Sequence, residues 1–395
     1  MKWHAPADVR ELRAIIAERT GRDSRSGPLL ATGAAPPGAG TGPPDTGTGP
    51  PGTATGDAAV VASISAPAFS RIIEYEPRDL TVTAGAGMRA SRLAALLRED
   101  GQWLPAAERS ARSVGGLVAA APTGPFDTSH GGLRRHLLAV RVVAPDGGIQ
   151  RWGRAVMKNV AGYHVQGLHG GGQGRLGVIT AATFRVWPLP ERDRSFELTG
   201  PDQDAMIASA ATIDPADAFR PDAMVWHWRG AEEAAGFTIR FVGTSASVEA
   251  RIQRMLPWAG RHGFAAAETA ASHDGSEPAR AGHTALRLTL HPGRLAESLQ
   301  GLRAGLVGVT ASIEAYPGAG VVRVAYRHAE DSEERAERMN SLLAACGEVS
   351  VRIERGTGVE HSVADARRSA AVRALEERLV DALGGSPRHW VADYV

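Results

Sequence analysis

Hydrophobic positions recur with two periods along this chain, and the switches between them mark its elements. Leu93, Leu96 and Leu97 fall at helical spacing within residues 89–99, with Gly101 placed to end the helix. Residues 7–18 form a second amphipathic stretch, opened near Pro6 and closed by Gly21. Between and after these come short runs of β-branched and apolar residues bounded by turn residues. Arg71–Tyr75 and Leu80–Ala84 flank Glu76-Pro77-Arg78-Asp79, and Leu138–Ala144 and Ile149–Trp152 flank the hairpin signal Asp146-Gly147. Pro28–Ala31 and Val60–Ile64 read as further strands, and Val178–Trp187 as one stopped by Pro188-Leu189-Pro190.

Beyond that punctuation the pattern alternates. Strands are expected at 223–228, 238–242, 285–290, 311–315, 321–326 and 349–353, and helices at 245–256, 294–304, 332–345 and 364–383. Strands combined with long helices predict an α+β sheet layer of ferredoxin-like type. Trp226 and Trp228 share one face of their strand, opposite His227, and read as core. The expected organisation is two domains, residues 1–190 and 191–395.

Residues 33–56 break the pattern. They hold eight Gly, six Pro, five Thr, four Ala and one Asp, and Thr-Gly-Pro-Pro occurs at 41–44 and again at 48–51. Such a segment offers nothing to a core and reads as a low-complexity insertion.

Composition narrows the function. A net charge of +1 gives no field directed at nucleic acid or an anionic membrane. The single cysteine, Cys346, rules out an internal disulfide, a thiolate zinc site and an iron–sulfur cluster. No apolar run approaches the roughly 20 residues of a membrane span, and no signal-peptide core precedes the first helix, so a cytoplasmic location is expected. Of 44 basic residues only Lys2 and Lys158 are lysine. Lys158 can be chance, or a compact ammonium required in a tight polar site that arginine does not fit.

Two glycine-rich turns could bring backbone N–H groups close to a pyrophosphate: Gly33-Ala34-Ala35 after the first strand, and Ser113-Val114-Gly115-Gly116 at a helix start. Close packing of helix on sheet is the competing reading of Gly115 and Gly116. Neither turn is a Gly-x-Gly-x-x-Gly fingerprint opening a βαβ unit, and no Gly-Lys-Ser/Thr is present, which argues against nicotinamide and triphosphate nucleotides. No His-x-x-x-His helix or acidic cluster with metal spacing occurs. His164 and His169 read as structural or solvated, and His328 as a surface histidine rather than a base.

Several blocks in a fixed order resemble the FAD-linked oxidases of the glycolate oxidase E-subunit type, within the larger family whose flavin domain is named after p-cresol methylhydroxylase and vanillyl-alcohol oxidase. They are Ile72–Gly85, Leu104-Pro105, Ser113–Gly116, Gly131-Gly132-Leu133-Arg134, Val156–Tyr163 and Gly174–Thr180. The most specific is Val156-Met157-Lys158-Asn159-Val160-Ala161-Gly162-Tyr163. The resemblance implies a two-subdomain FAD-binding domain followed by an α+β cap. It implies a cofactor site drawing on Gly33, Ala34, Ala35, Ser113, Val114, Gly115, Gly116, Arg134, Lys158, Asn159, Gly162, Tyr163, Gly177, Val178 and Ile179, with Lys158 and Arg134 as cations and Gly177–Ile179 at the ring edge. No histidine lies between His4 and His130, so the FAD is expected to be non-covalent. The catalytic residues are not identified by the motifs.

The activity implied is oxidation of a small 2-hydroxy acid by hydride transfer to the flavin, whose redox chemistry belongs to the cofactor. The partners implied are a D-type flavoprotein subunit and an iron–sulfur F-type subunit. Pro36 and Pro37 follow the first glycine turn, where relatives carry residues with an N–H, and proline has none to offer a phosphate. That departure motivates an alternative: a non-catalytic structural subunit in which FAD binding is weakened or lost.

Overall fold

In a computed structural model, placement is described for residues 2–4, 6–20, 29–32, 60–63, 67–107, 110, 112–156, 163–200, 219–230, 235–270, 283–327, 331–347 and 349–355, with isolated positions between 374 and 378. The low-complexity segment, Gly33-Ala34-Ala35, residues 157–162, His328 and most of the expected helix at 364–383 lie outside the described residues. The chain divides into two compact units. The first contains Met1–Pro122 and Gly131–Leu189; the second contains Thr123–His130 and Pro190–Arg368. Thr123–His130, eight residues between two segments of the first unit, pack with the second.

The first unit contains two sheets and a strand pair. Strands β1 (Lys2–His4), β2 (Leu29–Thr32) and β3 (Val60–Ser63) form a parallel sheet in the order β1-β3-β2, with helix α1 (Val9–Thr20) in the first crossover. Strands β4 (Ile72–Glu76), β5 (Thr81–Gly85), β7 (Leu137–Val143), β8 (Ile149–Gly153) and β9 (Val178–Arg185) form an antiparallel sheet ordered β4-β5-β9-β7-β8. The two-residue strands β6 (Gln102–Trp103) and β10 (Trp187–Pro188) pair at its margin. Helices α2 (Ala90–Glu99) and α3 (Val114–Ala120) bury Leu93, Leu97, Val114, Leu117 and Val118 in one core with Val82, Val140, Val142 and Phe184. The one-turn helices α4 (Leu133–His136) and α5 (Gln166–His169) complete the described elements of this unit.

The second unit is one eight-stranded antiparallel sheet. Its strands are β11 (Arg192–Thr199), β12 (Ala223–Trp228), β13 (Gly236–Gly243), β14 (Ala265–Thr269), β15 (His283–Leu290), β16 (Ala311–Tyr316), β17 (Val321–Arg327) and β18 (Val349–Arg355), ordered β14-β11-β13-β12-β16-β17-β15-β18. The order resolves into two halves, 14-11-13-12 and 16-17-15-18, each a ferredoxin-like 4-1-3-2 arrangement. They join edge to edge where β12 pairs β16, with His227 opposite Glu314. Helices α6 (Ser245–Arg261), α7 (Leu295–Gly305) and α8 (Ser332–Cys346) contribute Ile252, Met255, Leu299, Leu302, Leu342 and Leu343 to the core that also holds Trp226 and Trp228.

β11 and β14 are the strands the hydrophobic pattern does not announce. Arg192-Asp193-Arg194-Ser195-Phe196-Glu197-Leu198-Thr199 alternates, but only Phe196 and Leu198 are apolar. Its other face lies on the polar side of the sheet. Helix α6 runs through Pro257 to Arg261, past the expected end at Leu256.

Candidate functional site

The expected phosphate turn at Ser113 is a well-made helix start. Ser113 caps α3, its Oγ accepting from the Gly116 N–H at 3.1 Å. The Val114 N–H donates to Met88 O and the Gly115 N–H to Ala86 O, both at 2.8 Å, while the Ala86 N–H donates to Thr180 O at 3.0 Å. This lattice of short-range approaches joins α3, the turn after β5 and strand β9. It needs glycine: a Cβ on Gly85 would stand 2.2 Å from Phe69 O. The N–H groups of Val114, Gly115 and Gly116 are thus engaged within the protein. A phosphate in hydrogen-bond contact with them would displace an existing partner.

The other end of α3 is tiled by the second glycine segment. Gly171 N–H donates to Val118 O at 2.9 Å and Gln173 N–H to Ala119 O at 3.0 Å. Arg134 Nε donates to Gly170 O at 2.6 Å, and a Cβ at Gly170 would lie 2.9 Å from Arg134 Cγ. Gly177, at φ +128°, brings its backbone against Val143, where a Cβ would sit 2.6 Å from the carbonyl oxygen. Ser113–Gly116, Arg134 and Gly177–Ile179 are thus joined around α3 in one packed wall of the first unit, in which Ser113–Gly116 and Gly177–Ile179 are buried and Arg134 is exposed. Val114, Val178 and Ile179 bury their side chains in the core, so only their backbone can face a ligand.

Tyr163 is 95% exposed. Gly33, Ala34, Ala35, Lys158, Asn159 and Gly162 lie outside the described residues.

Two histidines near the wall carry no sequence signal beyond their position. His169 is buried, and burial pushes its pKa down to about 4, so it is neutral in ordinary buffers. His136 lies between Trp187 Nε1, 3.3 Å from Nδ1, and Gly131 O, 2.9 Å from Nε2. An indole N–H only donates and a carbonyl only accepts, which assigns the proton to Nε2. The pair fixes Gly131, a φ +87° residue at the mouth of the Arg134 segment.

In the second unit, the sheet face opposite the helices is polar. His227 Nε2 and Glu197 Oε1 are 2.8 Å apart, Thr238 Oγ1 donates to Glu197 Oε2 at 3.0 Å, and Arg323 pairs with Glu314 at 3.5 Å. A small solvent-open hollow on this face is lined by His227, Arg229, Ser312, Glu314 and Arg323, among others. Gly236 makes room for the His227–Glu197 pair, since a Cβ there would meet Glu197 Oε1. Among the described residues no group of histidine, cysteine and carboxylate side chains has a metal-binding arrangement. No described helix is long and apolar enough to cross a membrane.

Residues 43–153 match a family model described as FAD binding domain. This match supports FAD as the cofactor. Over 138 residues it is 35% identical to glycolate oxidase subunit GlcE of Escherichia coli (strain K12), covering 34% of this chain and 39% of that one. It is 30% identical over 146 residues to a probable mitochondrial D-lactate dehydrogenase of Danio rerio, covering 36% and 29% of the two chains. It is 26% identical over 146 residues to glycolate oxidase subunit GlcD of Bacillus subtilis (strain 168), covering 36% and 31%. The matches thus span less than two fifths of these relatives' length. In fold it is similar to alkyldihydroxyacetonephosphate synthase, with a TM-score of 0.65 at 14% identity over 98% of this chain and 75% of that one.

In charge the wall suits an anionic cofactor, since exposed Arg134 supplies a cation beside Gly170; Gly115, Gly116, Gly170, Gly174 and Gly177 are buried and let backbone segments pack closely behind it.

Proposed function

We propose that this chain is an FAD-binding oxidoreductase subunit of the glycolate oxidase type, oxidising a small 2-hydroxy acid. The observation that carries the reading is the convergence of Ser113–Gly116, Arg134 and Gly177–Ile179 on one wall within a chain that matches an FAD binding domain. When bound, the flavin accepts the hydride from the α-carbon of the acid. The chain's own residues orient it: α3 and the Gly170–Gly177 segment set the surface, and Arg134, anchored on Gly170 O, offers positive charge to an anionic cofactor. The flavin is held without a covalent bond. The single cysteine cannot hold an iron–sulfur cluster, so onward electrons need another chain or a soluble acceptor. A D-type flavoprotein and an iron–sulfur subunit suit that requirement, in a cytoplasmic complex.

A second reading, a structural subunit with weakened FAD binding, is favoured by one specific observation. The amides of Val114, Gly115 and Gly116 already have partners, and Pro36 and Pro37 offer none in the first turn. Absorbance of the purified protein in the flavin bands, followed by acid precipitation, tests both. Colour released wholly into the supernatant supports non-covalent FAD, and reduction of a dye by glycolate or D-lactate then supports catalysis. Colourless protein with no thermal shift on adding FAD selects the structural subunit. Co-purification from the native host tests the partners; a lone monomer with full glycolate:dye reductase activity refutes the complex.

A further inference from the structure

The segment Thr123–His130 leaves the first unit after α3 and returns to it at Gly131, yet packs as part of the second. The docking is built. Phe126, 4% exposed, lies with its ring 4.8 Å from the guanidinium carbon of Arg240, and Arg240 in turn forms a two-point ion pair with Asp193 across β13 and β11. The same ring meets His130 edge-on at 5.7 Å. Ser129 Oγ donates to the backbone oxygen of Asp222 at 2.7 Å, just before β12. Thr128 stands over Gly318 in the turn between β16 and β17, where a Cβ would come within 2.6 Å of Thr128 Oγ1.

Both ends of the segment are backbone reversals. Ala121 caps α3 at φ +39°, its N–H donating to Leu117 O at 2.9 Å, and Gly131 sits at φ +87° with its carbonyl held by His136. A force on the segment is delivered at one end into α3, whose N-terminus is the Ser113–Gly116 turn, and at the other into Gly131–Arg134. A seven-residue helix capped at both ends and buried along Val114–Ala119 has little freedom to absorb it.

We propose that Thr123–His130 is a positioning strap, whose docking on β11, β13 and the β16–β17 turn sets the conformation of the two segments it joins along the chain, Ser113–Gly116 through α3 and Gly131–Arg134. Phe126, Thr128 and Gly318 are its positioning residues. FAD affinity then depends on groups that do not touch the cofactor, a coupling between distinct sites. The consequence for the cofactor rests on the FAD reading above; the mechanical coupling does not.

The test uses the full-length protein. Phe126→Ala removes the ring from Arg240, and Phe126→Tyr retains it. Gly318→Ala perturbs from the sheet side at a position whose φ suits alanine, and Thr128→Ala, added to it, removes the two atoms a new methyl meets most closely. Hydrogen exchange of the Val114–Leu117 and Leu133–Arg135 amides is measured beside FAD affinity. The coupling predicts faster exchange in both segments and an FAD Kd raised about tenfold in Phe126→Ala and Gly318→Ala. Phe126→Tyr, and Thr128→Ala on the Gly318→Ala background, return both readouts toward wild type. Exchange that rises only at residues 123–130 and 316–320, or losses that neither restoring variant reverses, overturns the strap. If the wild-type protein takes up no FAD, the functional reading fails and the exchange measurement alone decides the coupling.

Discussion

Asp127 carries a cost that a single substitution should remove. Its carboxyl is raised from 3.8 to about 6, chiefly by burial; the Gly124 N–H and the Arg287 guanidinium oppose the shift without cancelling it. The other charged groups around this part of the segment are His130, held below its ordinary pKa by burial despite Asp222, and the Arg240–Asp193 pair under Phe126. A rise of roughly two units at about 1.4 kcal/mol each caps the cost of the ionised form near 3 kcal/mol, and partial solvation brings it to roughly 1–2 kcal/mol. Because the folded pKa lies above the unfolded one, the folded protein binds more protons between pH 3.8 and about 6, and stability falls as pH rises through that window. Above it the penalty is constant. Asp127→Asn keeps the shape of the neutral form and cannot ionise. Its unfolding free energy, measured in urea from pH 4 to pH 8, should match wild type at the acid end and exceed it by about 1–2 kcal/mol from roughly pH 6.5 upward. Parallel profiles would refute the burial argument. A variant that loses stability above pH 6 would show that the Arg287 attraction outweighs desolvation.

Gly177→Ala forces a side chain onto φ +128° and against Val143 O, and should lower stability by about 3 kcal/mol or more, read by thermal unfolding; an unchanged Tm refutes the close approach. Glu197→Ala strips the acceptor from His227 and the Thr238 hydroxyl and should cost about 1–3 kcal/mol, with no loss if solvent replaces the carboxylate freely. Lys158→Arg keeps the charge and changes its shape, so FAD retention should fall while Tm holds; equal retention would show that the lysine is incidental.

Legibility followed how local each interaction is. The strand over 223–228 was readable to the residue because Met224, Trp226 and Trp228 alternate with smaller or polar neighbours on a sheet with one buried face. β11 was not, because its second face meets Arg240 and His227 rather than a core, which replaces apolar residues with Asp193, Ser195 and Glu197. Pro257 suggested a helix end at Leu256, but α6 continues because Trp258 and Ala259 bury against the sheet and hold the last turn. At the site, the spacing of Ser113–Gly116 correctly announced a helix start. It could not announce that the amides pair with Ala86 and Met88, since that register is set by how α3 lies on the preceding turn. The strap was still less visible. The role of Phe126 depends on Arg240, more than a hundred residues later.

A glycine has two uses in this protein, and the geometry separates them. At 85, 153 and 177 an added Cβ would strike backbone within 2.6 Å, so packing alone forbids any other residue whether or not a cofactor is present. Those positions would survive the loss of FAD unchanged, and their agreement with a flavin-binding pattern weighs equally for both functional readings. A cation is different. Arg134 satisfies one N–H on Gly170 O, a role a neutral donor could fill, and the charge of its exposed guanidinium is what an anionic ligand would use. The same logic applies to the one lysine within the body of a chain that otherwise uses arginine. Discrimination between an active flavoprotein and a structural subunit therefore rests on the cations and not on these glycines.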